Sequence, residues 1–248
     1  MSGNEMRLEG RNAVIEAFRS GKTIDKLFLL EGCKDGPIQT VLRDAKKTDT
    51  IITFVKKERL DQMSETGKHQ GVIAIAAAYK YGTIEEMLEA AEKKGEPPFL
   101  ILLDGIEDPH NLGSILRTAN QVGAHGVIIP KRRAVGLTAV VAKASAGAIH
   151  YTPVAKVTNL GKTIDSLKEK GIWFVCGDMA GEPMYQTDLK GPIGLVIGNE
   201  GDGVSRLVKE KCDILAGIPM FGAIDSLNAA VAMGVLSYEI VRQRISGK

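Results

Sequence analysis

The sequence contains few cysteines and no long apolar run. Its 248 residues include only 3 cysteines, Cys33, Cys176 and Cys212, which lie far apart along the chain. This odd, sparse count has no metal-ligand spacing and predicts reduced thiols in a cytoplasmic protein without a bound metal. The longest apolar stretches, such as residues 72–78 (VIAIAAA), are far shorter than the ~20 residues of a membrane span. Residues 1–10 are polar and lack the apolar core of a signal peptide.

The overall composition is that of an ordinary globular protein. Hydrophobic residues make up 44% of the chain and charged residues 25%, so a sizeable core is expected. The net charge of +2 does not by itself indicate a nucleic-acid-binding protein, although a local basic patch could still bind a phosphate backbone. The function must therefore be sought in the motifs.

Two α/β segments are predicted, joined by a charged stretch. Residues 1–78 alternate short helices and strands, which is typical of a small α/β domain. Residues 79–98 are rich in Glu and Lys and predict a solvated connector, with a helix that Thr83 caps and Gly95 ends. Residues 99–248 alternate strands and helices regularly, which predicts a parallel sheet with helices on both faces. Such sheets bind ligands at the C-terminal ends of their strands.

A first motif follows the apolar strand of residues 99–104. Asn111 is predicted to begin a helix, and Arg117 lies six residues further on. Taken alone, the two residues predict no more than a helix cap and a solvated arginine.

A second motif, GNEGDG at residues 198–203, surrounds Glu200 with glycines after another apolar strand. Glycine lets the backbone approach a ligand closely and adopt positive φ. The spacing G-x-x-G-x-G and the position near the chain end do not fit a Rossmann dinucleotide loop, and the Gly-Lys-Ser/Thr of a Walker loop is absent. The loop therefore presents backbone groups and one carboxylate to something other than a nucleotide diphosphate.

A third motif, IPMFGAIDSLNAA, covers residues 218–230. Either Ser226 or Asp225 is a natural N-cap for the long helix predicted to follow. That helix contains many small residues, which predicts close packing against a knot-like loop or another subunit.

Together, in this order, the three motifs closely resemble the signature motifs of the SpoU/TrmH branch of the SPOUT RNA methyltransferases, and the resemblance covers the whole chain. Residues 10–14 (GRNAV) and 69–72 (HQGV) resemble the ribosomal-protein-like domain of the subgroup that methylates a guanosine ribose in 23S ribosomal RNA. The resemblance implies an RNA substrate-binding domain (1–78), a linker (79–98) and a catalytic domain with a deep trefoil knot (99–248).

The resemblance also implies S-adenosylmethionine as the methyl donor, with no metal. The donor would lie in the knot, held largely by backbone groups of the second and third motifs. The residues that match cofactor positions of the family, or are their neighbours, are Gly198, Ile218, Leu227, Ile197, Asn199 and Met220.

The reaction that the resemblance implies is methyl transfer to a ribose 2′-hydroxyl. Arg117 would contact that hydroxyl or an adjacent phosphate and stabilise the developing alkoxide, and Glu200 would fix Arg117 through a charge-assisted pair. Asn111, Ser226 and Asn228 would orient the ribose, the phosphate and the arginine. Family members are dimers, so Asn111 and Arg117 are expected to meet their partners across the interface of a homodimer.

Three alternatives stay open to different degrees. A transfer-RNA ribose methyltransferase would keep the fold and change the substrate. A non-catalytic RNA-binding assembly factor would lack one or more of Asn111, Arg117, Glu200 and Asn228, all of which are present. A dinucleotide oxidoreductase is disfavoured by the glycine spacing.

Overall fold

The computed structural model describes residues 6–224 and 226–246, and contacts divide the chain into two compact units. The first unit contains the chain up to Lys80 together with Gly136–Ala139, and the second contains Tyr81–Val135 and the chain from Val140 onward. The elements of the first unit are β1 (Met6–Glu9), α1 (Arg11–Arg19), β2 (Ile24–Leu30), α2 (Gly36–Lys47), β3 (Ile51–Val55), α3 (Lys57–Met63) and β4 (Val72–Ala76).

The first unit is built on a mixed sheet with the strand order β1-β4-β2-β3. Strands β2 and β3 are parallel, whereas β4 is antiparallel to both β1 and β2. All five residues of β4 are buried, and Leu27, Leu29 and Val41 belong to the core beside it. The edge strand β1 was not predicted, because two of its four residues are charged and only pairing with β4 defines them as a strand.

The second unit contains the remaining elements. They are α4 (Ile84–Lys94), β5 (Phe99–Asp104), α5 (Pro109–Gln121), β6 (Gly126–Pro130), α6 (Ala139–Ala144), β7 (Val154–Val157), α7 (Leu160–Lys168), β8 (Trp173–Pro183), β9 (Ile193–Gly198), α8 (Arg206–Lys209), β10 (Ile214–Gly217) and α9 (Ala229–Ser246).

The second unit is built on a sheet with the strand order β10-β8-β9-β5-β6-β7, in which every pair of neighbouring strands is parallel. The predicted parallel sheet is therefore confirmed. The central strands β5 and β9 are apolar and buried along almost their whole length, as expected for strands covered on both faces. Because all strands run the same way, their C-terminal ends lie at one edge of the sheet, which we call the carboxyl edge.

Helix α4 begins and ends as predicted but is not a solvated connector. Thr83 and Glu86 form a reciprocal capping box at its start, and Gly95 at its end has the left-handed conformation. However, Met87 and Ala91 are buried, and Met87 belongs to the core of the second unit. The charged residues that indicated solvation cover only the outer face of an amphipathic helix.

Two helix starts also differ from the prediction. Helix α5 begins at Pro109 with Asp108 as its N-cap, so Asn111 lies within the first turn and is not the cap. Helix α9 begins at Ala229, and the Asn228 side chain accepts hydrogen bonds from the backbone N–H groups of Ala230 and Val231. Asn228, and not Ser226, is thus its cap, while Asp225 lies outside the described residues.

The domain boundaries at 78 and 98 and the trefoil knot stay predictions. In the part of the chain that the structure describes, no helix is both long and apolar enough to cross a membrane.

We expect the Met87→Ala substitution to lower the free energy of unfolding by about 2–5 kcal/mol, because it leaves a cavity beneath α4. Glu92→Ala on the exposed side of the same helix should change it by less than about 0.5 kcal/mol. Urea unfolding of both variants measures the difference. Equal stability of the two variants would contradict the packing of α4 against the sheet.

Candidate active site

A cleft opens at the carboxyl edge of the second sheet, where β8, β9 and β10 end. Its wall consists of the middle of β8, the ends of β9 and β10 with the segments that follow them, and the first half of α9. The lining residues are Gly177, Asp178, Met179, Ile197, Gly198, Asn199, Glu200, Gly201, Asp202, Gly203, Ala216, Ile218, Met220, Ser226, Leu227, Ala232 and Leu236. The second and third sequence motifs, which begin at residues 198 and 218, thus line the same cleft.

The glycine-rich loop of residues 198–203 closes on itself. The Asn199 side-chain oxygen accepts hydrogen bonds from the N–H groups of Gly201 and Asp202, at 2.9 and 2.8 Å. The Asn199 carbonyl accepts a third from Gly203, which has a φ of 65°. This compact turn brings backbone groups and Glu200 to the cleft.

Gly198 makes that closure possible. A Cβ atom on Gly198 would collide with the backbone of Gly203 and Val204, so no side chain fits there. The loop is also held from below, because the buried carboxylate of Asp104 accepts a 2.8 Å hydrogen bond from the N–H of Ser205. The glycines therefore shape the loop itself as much as they open it to a ligand.

Glu200 is the centre of a hydrogen-bond cluster. Its Oε1 accepts bonds from Asn111 Nδ2 at 2.6 Å, from Asn228 Nδ2 at 3.0 Å and from the N–H of Ala229 at 3.3 Å. Asn228 Nδ2 also donates to Asn111 Oδ1 at 2.9 Å. We call Asn111, Glu200 and Asn228 the carboxamide cluster. It joins the first turn of α5, the glycine loop and the cap of α9.

The predicted pairing of Glu200 with Arg117 is not present within the chain. Arg117 is exposed, and among residues 6–224 and 226–246 it takes part in no hydrogen bond or ion pair. The reason is helical geometry, since six residues turn an α-helix by 1.67 turns and carry Arg117 well away from the face of Asn111. Asn111 meets Glu200 within one chain, and its expected contact across an interface stays a prediction.

The remaining predicted residues come together at the cleft. Ser226, an expected orienting residue, is exposed at its wall, and no described contact joins it to the carboxamide cluster. The six residues expected near the methyl donor also line the cleft, namely Ile197, Gly198, Asn199, Ile218, Met220 and Leu227.

Asp178 is a cleft residue that the sequence reasoning missed. It follows the buried part of β8, and a polar residue just after an apolar strand was the available signal. Asp178 accepts bonds from Lys209 Nζ at 2.5 Å and from the N–H of Ala180 at 2.9 Å. Partial burial raises the pKa of Asp178, but these hydrogen bonds and the Lys209 charge outweigh it and lower the pKa below its usual value.

The charges of the cleft suit a cationic ligand. Among the described lining residues there are three carboxylates, Asp178, Glu200 and Asp202, and no lysine or arginine. Apolar side chains such as Leu227 and Leu236 supply the rest of the wall. The described residues contain no group of three or more His, Cys, Asp or Glu side chains that could hold a metal ion.

Comparison with protein-family models identifies both parts of the chain. Residues 98–238 match the SpoU rRNA methylase family, and residues 7–82 match the substrate-binding model of RNA 2′-O ribose methyltransferases. The protein YacO of Bacillus subtilis (strain 168), assigned to the TrmH family of tRNA/rRNA methyltransferases, is 54% identical over 236 residues, which cover 95% of this chain and 94% of YacO.

Solved structures agree with this. The SpoU methyltransferase AviRb from Streptomyces viridochromogenes, crystallised in complex with AdoMet, matches with a TM-score of 0.62 and 26% identity over 98% of this chain and 92% of AviRb. An AdoMet-bound rRNA methyltransferase from Sinorhizobium meliloti matches with a TM-score of 0.59 and 25% identity, over 95% and 86% of the two chains. The cleft therefore belongs to a methyl-transferring enzyme.

The chain belongs to the SpoU/TrmH family of RNA methyltransferases, whose methyl donor is S-adenosylmethionine. The apolar walls of the cleft and its carboxylates, of which Asp178 is paired with Lys209, fit that donor, which carries a positive sulfonium and an adenosine.

We expect Gly198→Ala to weaken S-adenosylmethionine binding by about 10- to 100-fold, because relieving the collision with Gly203 would force the loop open at a cost of about 1–3 kcal/mol. Gly201→Ala is the matched control, since the nearest atom to its Cβ would be Asn199 Oδ1 at 3.5 Å. Calorimetric titration measures both affinities. A Gly198→Ala variant that binds the donor as tightly as the Gly201→Ala variant would refute this account of the loop.

Proposed function

We propose that this protein transfers a methyl group from S-adenosylmethionine to the 2′-hydroxyl of a ribose, that of a guanosine in 23S ribosomal RNA. The observation that supports this best is the carboxamide cluster at the rim of a glycine-lined, acidic cleft. The first unit supports an RNA substrate, since it matches a substrate-binding model. We assign RNA binding to residues 1–78 and catalysis to residues 99–248.

The methyl donor would be held by the backbone of the glycine loop and of residues 218–220. In this arrangement Gly198 and Asn199 face the adenosine, and Ile197, Ile218 and Leu227 supply apolar contacts, with Met220 beside them. The donor supplies an electrophilic methyl group that is already activated by the sulfonium, so no metal is required for its transfer.

The chain's own residues must prepare the nucleophile. A neutral hydroxyl is a poor nucleophile, so its proton must leave as the methyl group arrives. A guanidinium stays protonated in proteins, so we assign Arg117 the role of a cation that contacts the hydroxyl or an adjacent phosphate and stabilises the developing alkoxide. Asn111, Asn228 and Ser226 would orient the ribose and phosphate, with Glu200 as the positioning residue.

We propose that a second copy of the chain completes the site. Arg117 lies on the outer side of α5, beside α9, where Thr118 of α5 meets Gly234 of α9. The outer side of α9 exposes a stripe of large apolar residues spaced by seven, Val231, Tyr238 and Ile245. Covering that stripe with the same surface of a second copy would bury apolar area and bring Arg117 of one copy toward the cleft of the other.

The function is tested by tritiated methyl transfer from S-adenosylmethionine to protein-free large-subunit ribosomal RNA and to total transfer RNA. We expect label at an alkali-resistant guanosine site in ribosomal RNA. We expect Arg117→Ala to lower kcat by about 100- to 1,000-fold without changing Tm, because Arg117 is exposed and its assigned role is to stabilise the developing alkoxide.

The outcomes separate the alternatives. Label only in transfer RNA would keep the chemistry and overturn the substrate. Donor binding without transfer to either RNA would contradict the proposal for protein-free RNA, and full turnover by Arg117→Ala would remove its central role. If the sites are shared, mixing Arg117→Ala with Glu200→Ala should restore part of the activity, because one hybrid site then has both native residues.

A pair of substitutions tests Glu200 as a positioning residue. Glu200→Gln keeps an oxygen that can accept from Asn111 and Asn228, whereas Glu200→Ala leaves both amides without their shared acceptor. We therefore expect Glu200→Ala to lower kcat by about 100-fold or more and Glu200→Gln to recover much of that loss, while donor affinity falls to a similar extent in both variants because both lose the same carboxylate charge. Steady-state kinetics and donor titration measure these effects. Equal loss of kcat in both variants would mean that the negative charge itself is required.

A further inference from the structure

The cleft has an apolar rim that neither the donor site nor the carboxamide cluster uses. Residues 221–224, which we call the rim loop, connect Met220 to the segment of Ser226, and both of these residues line the cleft. Phe221 is 97% exposed and Ile224 is 75% exposed. Phe221 thus exposes almost its whole ring to water beside the cleft. Contact with another apolar or aromatic surface would be favourable for this ring.

Other exposed aromatic residues near strand ends of the second unit lie away from the cleft. Tyr151 and Trp173 stand at or just before the starts of β7 and β8, at the edge opposite the carboxyl edge. Tyr185 follows the end of β8 but lines a separate cavity. Single exposed apolar residues are common and need no explanation. Phe221 is different because Met220, directly before it, and Ser226, five residues after it, both line the cleft.

The reaction itself brings a flat apolar surface to the rim loop. A ribose whose hydroxyl reaches the methyl group must enter the cleft, and its base or the adjacent base must then lie against the rim. Unpaired RNA bases are commonly recognised by stacking on aromatic side chains, and any base can offer such a face.

The RNA-methylating family to which the chain belongs and the exposed arginines favour RNA over a protein segment as the occupant. Arg132 and Arg133 follow the end of β6 and are exposed at the carboxyl edge, where Glu107 and Asp108 are exposed as well. Arg117 is a further exposed cation on α5. Cations at this edge suit the phosphates of a strand whose base reaches the rim loop.

We propose that Phe221 stacks on an unpaired base of the substrate RNA, either that of the methylated nucleotide or that of its neighbour. This rests on the proposed function insofar as a ribose enters the cleft. Phe221 thereby contributes to the choice and affinity of RNA, and the donor site does not depend on it.

The first test measures RNA binding, donor binding and turnover of Phe221 variants. We expect Phe221→Ala to weaken binding of the methylated RNA by about 5- to 150-fold, with kcat/KM falling in parallel and donor affinity unchanged. Phe221→Tyr, which keeps the ring, should stay close to the wild type, whereas Phe221→Leu, which keeps apolar bulk only, should not. Tyr151→Ala, which removes an exposed ring at the opposite edge, should leave all three measurements unchanged.

A second test observes stacking directly and does not require methylation. The sequence has a single tryptophan, Trp173, so Trp173→Phe removes all tryptophan fluorescence. The double variants W173F/F221W and W173F/Y151W then each carry one tryptophan as a fluorescent reporter. Adding a short single-stranded oligoribonucleotide of mixed sequence should quench the emission of the first reporter and leave that of the second unchanged. Because this readout is independent of methyl transfer, a failure of the proposed reaction is distinguishable from a failure of stacking.

Four results would overturn the proposal. Wild-type RNA affinity in Phe221→Ala, or equal quenching of the two reporters, would exclude a specific stacking contact. A loss of dimer mass in Phe221→Ala, measured by light scattering without RNA, would assign the ring to an interface between copies of the chain. Rescue by Leu as complete as that by Tyr would indicate apolar contact without stacking.

Discussion

The site depends on the close approach of two backbone segments at Gly198. Strand β9 ends there, and the chain turns back on itself so tightly that the space for a Cβ is filled by Gly203 and Val204. That turn places Glu200 where one carboxylate oxygen meets Asn111, Asn228 and the N–H of Ala229. An acidic group at the start of α9 is further favoured by the positive end of the helix dipole. A side chain at residue 198 would therefore disturb two helix starts as well as one loop.

Much of this arrangement follows from local sequence patterns. Apolar runs such as residues 99–104 and 193–198 identify the buried strands, and their alternation with helices predicts a parallel sheet. A parallel sheet brings strand ends to one edge, which is why motifs distant in sequence meet at one cleft. Thr83 and Gly95 mark the ends of α4 correctly because capping depends on neighbours in the chain.

The features that the sequence did not predict depend on contacts between distant segments. The burial of Met87 is decided by the sheet beneath α4, and the strand β1 exists through its pairing with β4. Glu200 bonds to Asn111, 89 residues away, and not to Arg117, because the rotation of α5 selects which side chain faces the loop. Motif spacing identifies the participants of such a cluster but does not determine which pairs form.

The distribution of charge gives the two substrates separate places. The cleft is lined by carboxylates without a described lysine or arginine, whereas Arg117, Arg132 and Arg133 are exposed outside it. A cationic methyl donor is thus favoured inside and a polyanionic RNA outside. Transfer of the methyl group removes the positive charge of the sulfonium, so the carboxylates attract the spent donor less than the fresh one. The charge pattern that admits the donor therefore also favours its replacement after the reaction.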